Sequence, residues 1–329
     1  MSARWRILAG VTTTLAGTLL LITLFQTPER LQGRSCPPPA EQLSPAMFQS
    51  GSTTAQDRGF LWRISKRGHT SYLYGTMHIA KQGWMFPGRT VRAAFDASDL
   101  LAVEVDSLDP NIKERLGKSF SAPENNLPLP DPLLDRLRTF AERVCASLSV
   151  LDKMVPQQQI AAMILYVSRY DGLYMEYGID DSLSRLALAT QKPIVSLENP
   201  DLRGTVLRVD DAPDWILLAT GGIEALESGR SREALLRSAE VWAESRYDDF
   251  LRYKEWCGCF DTDVGRRFYR RVYDDRNRIQ ALAIDALHEM GHNVFAAVGY
   301  GHMVGDGGLP GLLEQMGYQV EFVVFAKGG

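Results

Sequence analysis

Only five histidines occur among the 329 residues, and two of them close the same short pattern, Gly-x-x-His, after a β-like run. The first run is Tyr72-Leu73-Tyr74-Gly75-Thr76-Met77-His78; the second is Val294-Phe295-Ala296-Ala297-Val298-Gly299-Tyr300-Gly301-His302. Glycine opens backbone conformations closed to other residues and lets the chain approach a ligand closely. The carboxyl ends of strands are where α/β folds assemble their sites. Two imidazoles delivered in this way point to metal ligation, with one ion shared between the two halves of a single domain.

The elements that must position these histidines repeat as well. After His78 come Gly83, Pro87 and Gly88, a helical run through Val91, Ala94 and Phe95, and the strand-like Leu100-Leu101-Ala102-Val103-Glu104-Val105. After His302 come Gly305, Gly307, Gly308 and Pro310, a helical run through Leu312, Leu313 and Met316, and the strand-like Val320 to Phe325. Each half therefore reads as a βαβ unit, with the parallel pairing and crossover that such a unit requires. Between the halves the apolar period is helical, as in Leu133, Leu134, Leu137, Phe140 and Val144. Breaks are expected at Gly221-Gly222 and at Ser228-Gly229, and one short strand is expected at Pro193 to Glu198. The expected fold is α/β (α+β): a mixed sheet built from two similar βαβ units, with a helical insertion over about 111–260 that is able to act as a lid.

Residues 288–292, His-Glu-Met-Gly-His, match the H-E-x-x-H zinc motif literally. That motif works only on a continuous helix, which puts both histidines on one face. Gly291 followed by a strand-like run argues against it, and Met316-Gly317 repeats the same grammar before the last strand. Both Met-Gly pairs read as helix ends with glycine in the left-handed cap position.

Net charge is −4 with no long run of like charges, so nucleic-acid binding finds no support. A hydrophobic content of 45% leaves ample material for a core. At the N-terminus, Arg4 and Arg6 precede an uncharged stretch, Ile7 to Phe25, that just reaches the length of a membrane span. No small-x-small cleavage site follows it. Residues 1–25 are therefore expected to be an uncleaved signal-anchor in the cytoplasmic membrane, with the remainder outside the cytoplasm (periplasmic in a Gram-negative cell). Residues 26–59, rich in Pro and Ser, are expected to be a flexible linker, and residues 60–329 the functional domain. In an oxidising compartment a disulfide from Cys145 to Cys257 or Cys259 is expected.

An ordered set of segments resembles the TraB/GumN family, which includes the Tiki-type proteases and lies near erythromycin-esterase-like and haem-binding ChaN-like proteins. The set is Leu61-Trp62, Gly75-Thr76-Met77-His78, Val103-Glu104-Val105-Asp106, Tyr177-Gly178-Ile179-Asp180, Leu197-Glu198, Arg276-Asn277 and Val298-Gly299-Tyr300-Gly301-His302-Met303. Two departures stand out. Asp275 takes the place of the usual Glu before Arg-Asn, and Asn199-Pro200-Asp201-Leu202-Arg203 replaces the usual Thr and downstream Gln after Leu197-Glu198.

The resemblance implies a metal-dependent hydrolase, with a peptide or protein as substrate. On that reading His78, His302 and Glu104 hold a divalent ion (Zn, Mn or Co) and leave a position for water. Glu198 serves as general base or orients the water and Arg276 serves as oxyanion donor, while Asp180 and Asn277 support the ligands and Gly75 and Gly299 shape the turns. Two rivals share the cleft. One is a non-catalytic membrane-tethered protein that sequesters a peptide or small ligand; the other is a haem or iron binder with a single axial histidine.

Overall fold

The computed structural model describes residues 36–121, 127–258, 261–305 and 307–326. The expected membrane segment, residues 7–25, lies outside them. Among the described residues no helix is long and apolar enough to cross a membrane.

Six strands form one mixed sheet: β1 (Phe60–Lys66), β2 (His69–Thr76), β3 (Leu100–Val103), β4 (Ile194–Ser196), β5 (Val294–Gly299) and β6 (Gln319–Phe322). Their order is β4-β3-β5-β2-β1-β6. The four strands β4, β3, β5 and β2 are parallel, and β1 pairs antiparallel with both β2 and β6. Every residue of β3 and β5 is buried, as expected of parallel strands covered on both faces.

The two βαβ units are present, but neither closes on itself. β5, which opens the second unit, lies between β2 and β3, the two strands of the first. β6 of the second unit crosses beyond β2 to pair with β1. The expectation of neighbouring strands within each unit is corrected accordingly: the units interleave. The register sets Gly75 against Val298 and Thr76 against Gly299, so both histidine turns leave the sheet side by side.

The insertion is largely helical and carries its own core, which includes Leu133, Leu137, Phe140, Trp215 and Ile223. Helix Ala212–Glu227 runs unbroken through Gly221-Gly222, contrary to expectation. A Cβ on Gly222 would stand 3.0 Å from Ile160 Cγ2, so this glycine permits a close helix approach. The long C-terminal helix is divided by one π-helical turn, Arg270–Asp274, before Asp275–Glu289.

Two expectations about the N-terminal side are overturned. From Cys36 onward the supposed linker is ordered against the domain, because Ala40, Leu43, Met47 and Ala55 pack on the main core. It forms helix Pro45–Thr53, and the Asp57 carboxylate accepts hydrogen bonds from the Thr90 and Val91 amides at 2.9 and 3.0 Å, capping helix Arg89–Asp96. The disulfide of Cys145 joins it to Cys36, not to Cys257 or Cys259, with the Cα atoms 5.5 Å apart. This ordered segment is what brings Cys36 to the insertion.

Candidate functional site

His78 and His302 stand at the carboxyl end of β2 and β5, in turns that the sheet holds in register. His302 sits in a single 3-10 turn, Tyr300–Met303, and is buried; the His78 side chain is 50% exposed. Glu104 follows β3 directly. The β3–β4 pairing continues past the strands through Leu197 N–H to Val103 O (2.8 Å) and Glu198 N–H to Glu104 O (3.0 Å). Glu104 and Glu198 are thereby set next to each other at the same edge.

The two imidazoles converge on one atom. His302 Nε2 lies 3.8 Å and His78 Nε2 4.0 Å from Glu104 Oε1. Each ring is oriented from behind. His78 Nδ1 meets Asp180 Oδ2 at 2.9 Å, and Asp180 is held in turn by the Thr76 hydroxyl. Asp180 comes from the first turn of helix Ile179–Ala189, whose cap Gly178 lies so near that a Cβ there would be 2.8 Å from His78 O. His302 Nδ1 meets Asn277 Oδ1 at 2.5 Å, while Asn277 Nδ2 donates to Gly307 O at 2.7 Å. That second bond fixes the amide orientation, so His302 must carry its proton on Nδ1. Its Nε2 lone pair then faces a carboxylate oxygen, an arrangement of two acceptors that a cation between them would satisfy.

Glycine shapes the space between the three. An ideal Cβ on Gly299 would lie 2.8 Å from Glu104 Oε1 and 3.7 Å from both His78 Nε2 and His302 Cδ2. The absence of a side chain there keeps a small cradle open. A tetrahedral ion with Zn–N bonds of about 2.0–2.1 Å holds its ligand atoms about 3.4 Å apart. The measured separations of 3.8 and 4.0 Å are within roughly half an ångström of that value. Two imidazoles and a carboxylate are chemically suited to a divalent ion and lie near ligand spacing, but among the described residues no group of three or more histidine, cysteine, aspartate or glutamate side chains is placed to hold a metal ion as it stands.

The remaining charges form a buried network. Glu104 Oε1 accepts from Gly299 N–H at 2.8 Å, and Oε2 receives Arg276 Nη2 and, at 2.9 Å, Arg203 Nη2. Arg276 also gives Nε to Glu198 at 3.1 Å and Nη1 to Val272 O at 2.8 Å, a carbonyl exposed by the π-helical turn. Gln280, one helical turn after Arg276, donates to Glu198 Oε1. Arg276 was expected as an oxyanion donor; its nitrogens are instead committed to the two carboxylates and Val272, and it acts as a brace. Glu198 lies beside Glu104, and its Oε2 is the more lightly bonded oxygen, with contacts of 3.1 Å to Arg276 Nε and 3.4 Å to Arg203 Nη1.

Electrostatics separate these groups. Burial disfavours the Glu104 charge, but Arg203, His302, His78 and the Gly299 N–H together hold it down at about 2. Burial and the neighbouring Glu104 charge push Glu198 up to about 7. The Asp180 charge raises His78 to about 9 against the cost of burial. Burial lowers His302 to about 4, outweighing Glu104.

Three residues at the site escape sequence reasoning: Arg203, Gln280 and Tyr273, whose ring meets that of His302 edge-on at 5.1 Å. Only Gln280 left a trace, its spacing from Arg276. The H-E-x-x-H residues do not share a continuous helix, since the helix stops at Glu289. Gly291 (φ +90°) ends the helix, and His288 is buried between Ser71 Oγ (2.9 Å) and Lys66 O (3.0 Å), away from the cluster.

Two histidines and a carboxylate at the carboxyl edge of an interleaved α/β sheet define the structural class. The chain belongs to the TraB/PrgY/gumN family, whose model matches residues 60–322. It is also similar to Metalloprotease TIKI1 of Danio rerio, at 32% identity over 137 residues. That match covers 40% of this chain and 25% of the relative, so only a quarter of that protein's length is spanned. No solved structure matches the chain.

Proposed function

We propose that the chain is a metal-dependent hydrolase that cleaves peptide bonds outside the cytoplasm. The observation that carries this reading is the convergence of His78 Nε2 and His302 Nε2 on Glu104 Oε1, at 4.0 and 3.8 Å, each ring oriented through Nδ1. The name of the partial relative, a metalloprotease, supports the choice of peptide as substrate.

His78, His302 and Glu104 would hold the ion, of which Zn, Mn and Co are candidates. A bound divalent ion supplies Lewis acidity toward a carbonyl oxygen and lowers the pKa of water. The chain's own residues do the rest. Asp180 and Asn277 hold both Nε2 atoms turned inward. Glu198 Oε2 accepts the proton released as water attacks and returns it to the departing amine. Arg276 holds the two carboxylates apart and in place. The exposed side of His78 is where substrate enters, since His302 and Glu104 are both closed off from solvent. Export is supported by the Cys36–Cys145 disulfide, which suits an oxidising compartment, and by the basic-then-apolar N-terminus. The anchor proposed for residues 7–25 would tether the domain to the membrane.

The test is metal content of protein purified without chelators, followed by hydrolysis of a peptide library with Zn, Mn or Co added. Hydrolysis that disappears together with metal in His78→Ala and His302→Ala is the expected result. Full metal loading without cleavage of any peptide would move the sequestering role ahead. A Soret band in the absorption spectrum would place haem there instead.

A further inference from the structure

Glu104 is a demanding ligand to orient. It is buried, it follows a strand end, and either oxygen is able to turn toward the histidines. Two guanidinium groups decide between them. Arg276 Nη2 and Arg203 Nη2 both lie on Oε2, the latter at 2.9 Å, while the Gly299 N–H at 2.8 Å takes one lone pair of Oε1. Oε1 is left with a single lone pair, and that lone pair faces the two imidazoles.

Arg276 sits on the long helix Asp275–Glu289, whereas Arg203 ends the short helix Pro200–Arg203. Its side chain is 19% exposed. It spans both acids, with Nη2 on Glu104 Oε2 at 2.9 Å and Nη1 on Glu198 Oε2 at 3.4 Å. A planar guanidinium presents two nitrogens in a fixed fork, one to each carboxylate; an ammonium has a single nitrogen on a flexible stem and cannot hold both oxygens in that geometry. The helix is itself fixed: Asn199 Oδ1 accepts from Asp201 N–H at 3.0 Å, and Arg115 reaches both Asn199 and Asp201.

We propose that Arg203 is a positioning residue that locks Glu104 into one-oxygen presentation, with Oε1 toward the histidines and Oε2 neutralised behind it. The proposal rests on the metal-site reading above. It assigns a role to the Asn199–Arg203 segment: the chain supplies from this loop a second clamp on the ligand carboxylate. With both acids matched by two guanidiniums, the pocket would bind its ion chiefly through the two imidazole Nε2 atoms and one oriented oxygen.

The test uses the full chain with Arg203→Gln and Arg203→Lys, and zinc alone as the probe. Zinc affinity by calorimetry is expected to fall about 10- to 100-fold in Arg203→Gln, the range usual for loss of a group that orients a ligand. Arg203→Lys keeps the charge but replaces the two-nitrogen fork by one nitrogen on a shorter stem, so it is expected to restore less than half of that loss on a logarithmic scale. Crystal structures of both metal-free variants supply a readout independent of zinc: Oε1 of Glu104 should leave its place within 4.0 Å of the two Nε2 atoms. Zinc affinity within two-fold of the parent, with Oε1 unmoved, would overturn the proposal. Full rescue by Lys would overturn it too, since charge alone would then suffice. Should the parent bind no zinc while Glu104 still turns in Arg203→Gln, the positioning role stands and the hydrolase reading fails. If the Gln variant does not fold, the Lys variant decides by the same two measurements.

Discussion

The two Gly-x-x-His turns share their local grammar and lie side by side, yet their environments are opposite. His302 is buried, is paired through Nδ1 with the neutral amide of Asn277, and is lowered to about 4 by burial. His78 is half exposed, is paired through Nδ1 with the Asp180 carboxylate, and is raised to about 9 chiefly by that charge. One turn supplies a buried nitrogen that stays neutral at pH values well above about 4; the other supplies a nitrogen that solvent can reach. A repeated motif thus fixes where two rings stand, and the neighbours of each ring decide what it is able to do.

The most severe way to break this pair is to fill the space between the rings. In Gly299→Ala the new methyl would stand 2.8 Å from Glu104 Oε1 and 3.7 Å from both rings. We expect metal content to fall below detection by mass spectrometry, with far-UV circular dichroism unchanged. Parental loading would mean that the cradle is not where the ion sits.

Removing the rings one at a time should expose the asymmetry in stability. His302→Ala leaves Asn277 Oδ1 buried without its donor and is expected to cost about 1–3 kcal/mol. His78→Ala removes a half-exposed ring and its pairing with Asp180, and near neutral pH is expected to cost less, about 0.2–1 kcal/mol, the range of an exposed ion pair. Urea denaturation of the metal-free proteins measures both. Equal losses would show that the two turns are interchangeable after all.

A pH series sharpens the same contrast in metal-free protein. Folding raises the proton affinity of His78, so its contribution is complete below the ordinary histidine value of about 6.5 and fades as pH rises through about 9. Folding lowers that of His302, so its contribution is present above about 6.5 and is lost as pH falls through about 4. Histidine ring signals in NMR should therefore titrate at opposite ends of the range. Coincident midpoints would contradict the difference in burial and partners.

The smallest effect is expected at a histidine outside the pair. His292 follows the left-handed Gly291 (φ +90°), past the end of helix Asp275–Glu289. His292→Ala should leave metal content and midpoint temperature at parental values. A metal loss equal to that of His302→Ala would revive the H-E-x-x-H reading.

Much of this was legible in local patterns. Met-Gly followed by a β-like run marked two helix ends, and both glycines, Gly291 and Gly317, adopt positive φ (+90° and +88°). Glycine beside a strand end located both histidine turns, and the strand Leu100–Val103 announced Glu104. These signals are readable because capping, left-handed glycine and apolar alternation act within a few residues. A glycine pair, by contrast, gave a wrong break at Gly221-Gly222, because helix packing against Ile160 outweighs the local cost of glycine.

What the sequence by itself determined is the set of local units and the chemical identity of the residues at their ends: imidazoles after two strands, carboxylates after two others. Tertiary structure alone decided their meeting. Nothing local requires β5 to enter between β2 and β3, yet that insertion sets Thr76 beside Gly299 and brings two distant turns to one carboxylate oxygen. The same holds for Arg203, drawn across both acids from a four-residue helix, and for Cys36, carried to Cys145 across 109 residues by a segment that packs on the core. Burial, charge pairing and strand order are properties of the assembled chain, and they are what turned two similar motifs into two different histidines.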